Sequence, residues 1–249
     1  VWHDFQAERT VAELRAMSRL GHRVVRSLLA WDAFMSSPSE VDVRRLRALE
    51  RLLAAADAES MRVVPVLCAQ SLGDCVMLPP FAIDVSRPRR GVRVITDGVA
   101  QPGGPRDLYT EPLMLEAQLL WLERLLGAFA GHPAIAWWDL GHDPATTVRP
   151  RRIAHLRAWA ALLAQRLHES GQRCALTLGA DDVVSARGVR LGAVTDAVDI
   201  VGVAVDAQML PLHAEHVDVL PTLFVLQLAQ RLSGAGVLHA HITACERAG

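Results

Sequence analysis

The sequence predicts an α/β domain in which parallel strands are covered by helices. Segments with apolar residues at helical spacing alternate with short apolar runs. Those runs are continuously apolar rather than alternating, as strands buried on both faces must be. The chain has 249 residues, 51% of them hydrophobic and 21% charged, which is enough to bury one large core.

Taken in order, "VAELRAMSRLG" (Val11–Gly21) reads as a helix that stops at a glycine, and "RVVRSLLAW" (Arg23–Trp31) as a buried strand. "VDVRRLRALERLLAAADAES" is a long amphipathic helix with arginines on its wet face, followed by the strand "MRVVPVLCA". A long loop containing "QPGGPRD" then leads to the helix "EPLMLEAQLLWLERLLGAFA", whose Pro112 is acceptable in a first turn. The strand "AIAWWDL" follows, then the helix "RRIAHLRAWAALLAQRLHES" and the strand "CALTLGA". A short helical stretch near Val189–Ala197 precedes "VDIVGVAV", and "LPTLFVLQLAQRLSG" leads to the last strand, "GVLHAHI". No Ser- or Pro-rich linker interrupts residues 1–249, so they read as one domain. The pattern yields six strands with a helix before the first, whereas a closed barrel of this class has eight. Either strands lie beyond both ends of the chain or the sheet is open.

The net charge of -1 and a pI near 6.9 give no electrostatic reason to expect nucleic acid. Every basic side chain other than histidine is Arg, a bias that points to GC-rich coding. No run approaches the roughly 18 apolar residues of a membrane span. The start at Val1 shows no basic flank and apolar core. The expectation is a soluble domain, cytoplasmic or secreted with its signal removed. Cys68, Cys75, Cys174 and Cys245 lack CxxC spacing, so a structural zinc site of the usual type is not expected and buried thiols are. The short loop between Cys68 and Cys75 would allow a bridge, but nothing in the sequence indicates one.

The stretch "RDLYTEPLMLEAQLLWLERLLGAFAGHPAIAWWDLGHDP" resembles clan A glycoside hydrolases, in particular the cellulase- and mannanase-like proteins of family 5. In that family a helix leads through "HPAI" into a strand ending in Asn-Glu-Pro. "GHRVVRSLLAWDAF" similarly resembles the family's second strand, with Arg26 near the floor of the site. The resemblance implies a (β/α)8 TIM-type barrel of which strands two to seven are visible. It also implies double-displacement cleavage by two carboxyl groups about 5–5.5 Å apart. The acid position falls on Asp143 and the Asn position on His142. Asp keeps the proton-transfer group but withdraws it by one methylene, and a misplacement near 1 Å costs about a hundredfold in rate. The nucleophile position falls on His241, with Glu246 the only nearby carboxylate. On the sixth strand, where the family carries sugar-lining His and Tyr, stand Ala204 and Asp206.

Around this pair, Arg26 is expected either to pair with a rim carboxylate or to shape the cleft floor, since a buried guanidinium needs a partner. Trp31, at a strand end, is the expected stacking platform for a sugar ring. Trp137 and Trp138 point to opposite faces of their strand, so Trp138 is a second candidate and core packing the default for both. Tyr109, the single tyrosine, is expected to cap or pack near the rim. A rival mechanism uses His239 and His241, two apart on one strand face, with His142, Asp143, His213 or Glu215 completing a metal-hydrolase site.

The leading expectation is a divergent family 5-like domain that binds oligosaccharide or glycoside, with hydrolysis weak or lost and no cofactor or metal. The alternatives are an active retaining β-glycosidase using Asp143, a metal-dependent barrel hydrolase, and a structural or interaction domain.

Overall fold

The computed structural model describes residues 2–68, 71–72, 75–180, 182, 189, 191–206, 227–231 and 238–243. Helix α1 (Ala7–Arg19) leads into β1 (Val24–Leu28), and a single turn, α2 (Trp31–Phe34), and the long α3 (Val43–Ala58) lead to β2 (Arg62–Val66). An excursion follows, made of β3 (Ser71–Leu72), β4 (Cys75–Met77), β5 (Ile83–Asp84), β6 (Arg93–Thr96), β7 (Val99–Gln101) and β8 (Gly104–Pro105). The chain returns through α4 (Pro112–Phe129) to β9 (Trp138–His142). It continues through the short α5 (Pro144–Thr147) and α6 (Ile153–Glu169) to β10 (Cys174–Gly179), then β11 (Ile200–Asp206) and β12 (Leu238–Thr243).

Among the described residues the principal sheet has six strands in the order β1-β2-β9-β10-β11-β12. Every pairing in it is parallel. Strand order therefore follows chain order with no reversal, which is barrel order and excludes a doubly wound sheet. The six strands and their covering helices form an incomplete α/β barrel. The predicted strands coincide with the observed ones to within a few residues at each end. One of them begins later than its apolar run, because Ile135 makes only an isolated bridge to Val63 before β9 starts at Trp138.

Helix ends follow the local chemistry. The Asp42 carboxylate accepts the Arg44 N–H at 2.8 Å and so caps α3, while Pro112 opens α4 where its missing N–H costs nothing. Between α2, α3 and α4 sits an aromatic core: Trp31 stacks on Trp121 at 6.1 Å and meets Phe81 edge-on at 5.4 Å. Gln118 is fully buried on α4 and fully used, donating to the Leu108 and Met114 carbonyls and accepting the Trp159 indole N–H at 2.9 Å from α6.

The segment expected as a plain loop is instead two small sheets, β3-β4-β6-β7 and β5-β8. Its hairpin signal is the Asp97-Gly98 pair, with φ of 50° and 76°, between the short apolar strands β6 and β7. The cysteines behave as small hydrophobes: Cys68 and Cys174 are buried, and Cys68 and Cys75 are unbridged. Burial pushes both buried thiols up, that of Cys174 to about 12, so in the absence of a bound cation neither is a thiolate at neutral pH. Among the described residues no helix is long and apolar enough to cross a membrane.

Two glycines give opposite expectations. A Cβ on Gly202, in the middle of β11, would stand 2.2 Å from Thr177 Oγ1, whereas one on Gly127, in exposed α4 backbone, meets nothing within 4 Å. Gly202→Ala should cost about 1–3 kcal/mol through overpacking. Gly127→Ala should add about 0.5–1 kcal/mol by restricting the unfolded chain. Urea unfolding of both variants checks the pair of signs.

Candidate functional site

At the C-terminal half of the parallel sheet, four polar residues from three strands close on one another. Arg26 on β1 reaches across β2 to Asp139 on β9, with Nε at 3.2 Å and Nη2 at 2.6 Å from Oδ2. Its side chain is 7% exposed and that of Asp139 is 1% exposed, so the pair is withdrawn from water. Thr177 on β10 donates its hydroxyl to the same Oδ2 at 2.6 Å, and the Gly141 N–H serves Oδ1 at 3.1 Å. Both oxygens of the buried carboxylate are thus satisfied, which is the condition for keeping it charged there. Thr177 can lean this way because the residue paired with it on β11 is Gly202, which has no side chain to occupy the space.

The fourth member is His142, whose Nδ1 lies 3.1 Å from Arg26 Nη1. A guanidinium can only donate, so Nδ1 is the acceptor and the ring carries its proton on Nε2. Of the partners expected for Arg26, the one observed is a buried carboxylate rather than a rim one, and the guanidinium also donates to His142. Asp139 was missed by sequence reasoning. Its signal was an acidic residue inside an otherwise apolar strand.

One residue further, Asp143 ends the β9 ladder. Its N–H donates to the Thr177 carbonyl at 2.9 Å, and its backbone is left-handed, with φ 48° and ψ 60°. Asp tolerates that conformation better than most residues. Its Oδ2 accepts the Thr146 hydroxyl at 2.5 Å. The carboxylate lies over the end of β10, where a Cβ on Gly179 would come within 2.8 Å of Oδ2. Tyr109 braces the same tip from below, its hydroxyl 2.8 Å from the carbonyls of both Pro144 and Val148. Burial, with the negative charges of Asp143, Asp107 and Asp182, holds the Tyr109 phenol well above its ordinary range.

The other expected site residues fall into two groups. His241 on β12 pairs in register with Ala204, which pairs with Gly179, so backbone pairing carries the level of the Asp143 carboxylate across to His241. Asp206 ends β11 opposite Thr243. His239 is level with Gly202. His213, Glu215, Glu246 and Cys245 lie outside the described residues.

The two tryptophans require correction. Trp31 is 1% exposed, the first residue of α2 rather than the end of a strand, with its faces taken by Trp121 and Phe81 and its N–H near Met35 Sδ at 3.1 Å. Trp138 is fully buried, and its indole N–H donates to Gln172 at 3.3 Å. Neither offers a face to a sugar; both are core residues. A polar pocket of about 480 Å³, unforeseen in the sequence, opens between α2 and the β6–β7 hairpin. In it His3 bridges the carboxylates of Asp32 at 3.0 Å and Asp97 at 2.8 Å.

No protein-family model matches this chain and no curated protein matches it. Solved structures do. The chain overlays an exo-β-1,4-mannosidase from Opitutaceae bacterium strain TAV5 with a TM-score of 0.79 at 17% identity, over 99% of this chain and 44% of that one. A GH5_18 variant from Streptomyces cattleya in complex with Manβ1-4GlcNAc gives 0.67 at 17% identity, over 82% and 47%. An endo-1,4-β-mannanase from Rhizomucor miehei gives 0.69 at 12% identity, over 95% and 73%. The fold is that of the family 5 glycoside hydrolases. This chain spans about half the length of the first of these structures.

Two stability outcomes follow from the site's wiring. Asp139→Ala leaves the Arg26 charge buried without its counter-ion and should cost about 3–5 kcal/mol, while the double variant Arg26→Met/Asp139→Leu should recover most of that loss. Urea unfolding of the three proteins measures both. Tyr109→Phe removes the hydroxyl shared by two carbonyls and should cost about 1–3 kcal/mol. Because the Tyr109 phenol is raised in the folded state, its contribution is complete below the ordinary tyrosine value near 10 and lost as pH rises through the folded value. The stability gap between wild type and Tyr109→Phe should therefore close in alkali, as denaturation series at increasing pH will register.

Proposed function

We propose that this chain carries the cleft of a divergent glycoside hydrolase-like domain that binds a β-mannoside-type oligosaccharide and hydrolyses it weakly or not at all. One observation carries the reading: the tip of β9 sets the carboxylate of Asp143 at the C-terminal edge of the sheet, directly beyond the buried Arg26–Asp139–His142 network. Ligand sites of α/β barrels gather at that edge. The likeness of the fold to a mannosidase and a mannanase supports that choice of substrate class.

In this reading Asp143 stands in the acid position and His142 in the position of the family's Asn, gripping a sugar hydroxyl. Arg26 and Asp139 orient His142 and do not touch sugar. Two features weaken the chemistry. The Asp143 side chain is one methylene short of Glu and has one oxygen engaged by Thr146. The nucleophile position falls on His241, and an imidazole cannot form the glycosyl ester that a carboxylate forms in double displacement.

Calorimetry with mannobiose and Manβ1-4GlcNAc should show binding that Asp143→Ala and His142→Ala weaken. Turnover of aryl β-mannosides should be slow, at least about a hundredfold below that of an intact acid and nucleophile pair. Asp143→Glu combined with His241→Glu should raise it. Robust wild-type hydrolysis abolished by Asp143→Ala would establish an active β-glycosidase instead, and absence of any sugar binding would leave the barrel a structural domain.

A further inference from the structure

At the opposite, N-terminal edge of the sheet three potential metal ligands converge from three elements. His168 lies in the last turn of α6, Cys174 is the first residue of β10, and Asp199 immediately precedes β11. His168 Nε2 stands 2.9 Å from Asp199 Oδ2 and 3.7 Å from Cys174 Sγ, and all three ligand atoms lie within 4.8 Å of one another. We propose that His168, Cys174 and Asp199 bind a zinc-type divalent ion, with water in the fourth position.

The spacing supports this. A tetrahedral ion with bonds of about 2.0–2.1 Å to nitrogen and oxygen and about 2.3 Å to sulfur needs N···S edges of about 3.5 Å and N···O edges of about 3.3 Å. The observed N···S edge is within a few tenths of an ångström of that, and the N···O edge, now a hydrogen bond, must open by a similar amount. Two of the ligands are already held in place. The Cys174 N–H donates to Asp199 Oδ2 at 2.8 Å, and the Asp199 N–H donates to the Cys174 carbonyl at 3.1 Å, so the two residues clamp each other. His168 and Asp199 are 48% and 34% exposed, which gives the ion an entry path and a water-accessible fourth position, while Cys174 is buried beneath them.

The donor set selects the ion. Thiolate and imidazole with one carboxylate suit zinc and not magnesium or calcium, which take oxygen. A thiolate and a carboxylate also neutralise the charge of a divalent cation. On binding, the Cys174 thiol loses its proton to solvent, and His168 presents the Nε2 lone pair with its proton on Nδ1. The site lies across the sheet from the Asp143 tip, and at that end of a barrel conserved chemistry serves stability rather than catalysis. Zinc there would pin the end of α6 to the starts of β10 and β11.

The experiment uses the full chain, stripped with a chelator and titrated with zinc against a competing indicator. It should bind one equivalent, and its Tm should rise in zinc. The cobalt-loaded protein should show a thiolate-to-metal charge-transfer band, which Cys174→Ser abolishes. The surface variants His168→Ala and Asp199→Asn should weaken zinc by more than the roughly 10–100-fold that losing an outer-shell partner costs. His168 is half exposed, so its variant tests the site even where Cys174→Ser fails to fold. Zinc binding that survives His168→Ala unchanged, a cobalt complex without the thiolate band, or no stoichiometric binding would overturn the assignment.

Discussion

The buried ion pair between Arg26 and Asp139 is the constraint on which the C-terminal side of this sheet depends. Burying an unpaired guanidinium costs several kcal/mol, roughly the margin that keeps a domain folded. Each member of the network therefore exists for the next. Asp139 must accept both Arg26 nitrogens, Thr177 must help satisfy Asp139, and Gly202 must stay empty of side chain so that Thr177 can lean inward. The chain of dependence crosses β1, β9, β10 and β11. Such a network contributes little net stability compared with an apolar core of equal volume, so its value lies in fixing positions. The position it fixes is that of His142, held by its Nδ1 above the guanidinium.

The tip that follows is built on separate supports. Asp143 takes a left-handed backbone, a costly conformation for a residue with a side chain, and it is held there by its ladder bond to Thr177, by Thr146 and by the Tyr109 hydroxyl beneath α5. Gly179 leaves the space that its carboxylate occupies. Strain maintained by three separate supports is characteristic of a position whose geometry matters more than its contribution to stability.

Much of this was legible in the sequence, and the failures have physical causes. Period alone separated the helices from the parallel strands, because a strand buried on both faces has no polar alternation to confuse it with anything on the surface. The β9 tip was legible because a short motif sits entirely within one strand end. Trp31 was misread because a tryptophan near a strand end can turn either to the cleft or under the next helix. Here one turn of α2 carries it under, against Trp121, which is 90 residues away in sequence and so invisible to local pattern. Asp139 was hidden for the same reason, since its partner Arg26 lies 113 residues earlier. The hairpin around Asp97-Gly98 carried its signal in plain view, but its strands are too short to establish a period. The His168–Cys174–Asp199 group had no spacing signature at all, because its members are gathered by the end of α6 and the starts of two neighbouring parallel strands and not by a loop.

The two edges of the sheet divide the chemistry between them, and parallel topology is the reason. All six principal strands point the same way, so every strand end faces one side and every strand start the other. Residues at strand ends, such as Asp143 after β9 and Thr177 on β10, meet at one edge however far apart they are in sequence. Residues that begin strands meet on the far side, where Cys174 and Asp199 tie β10 to β11 through reciprocal backbone and carboxylate bonds. Between the edges lies a core closed by Trp121, Trp138 and Trp159, each almost wholly buried. A fold arranged this way can retain its buried ion pair and its packing while the residues at its rim change. That separation explains how a chain can share the fold of the family 5 glycoside hydrolases at only 12–17% identity.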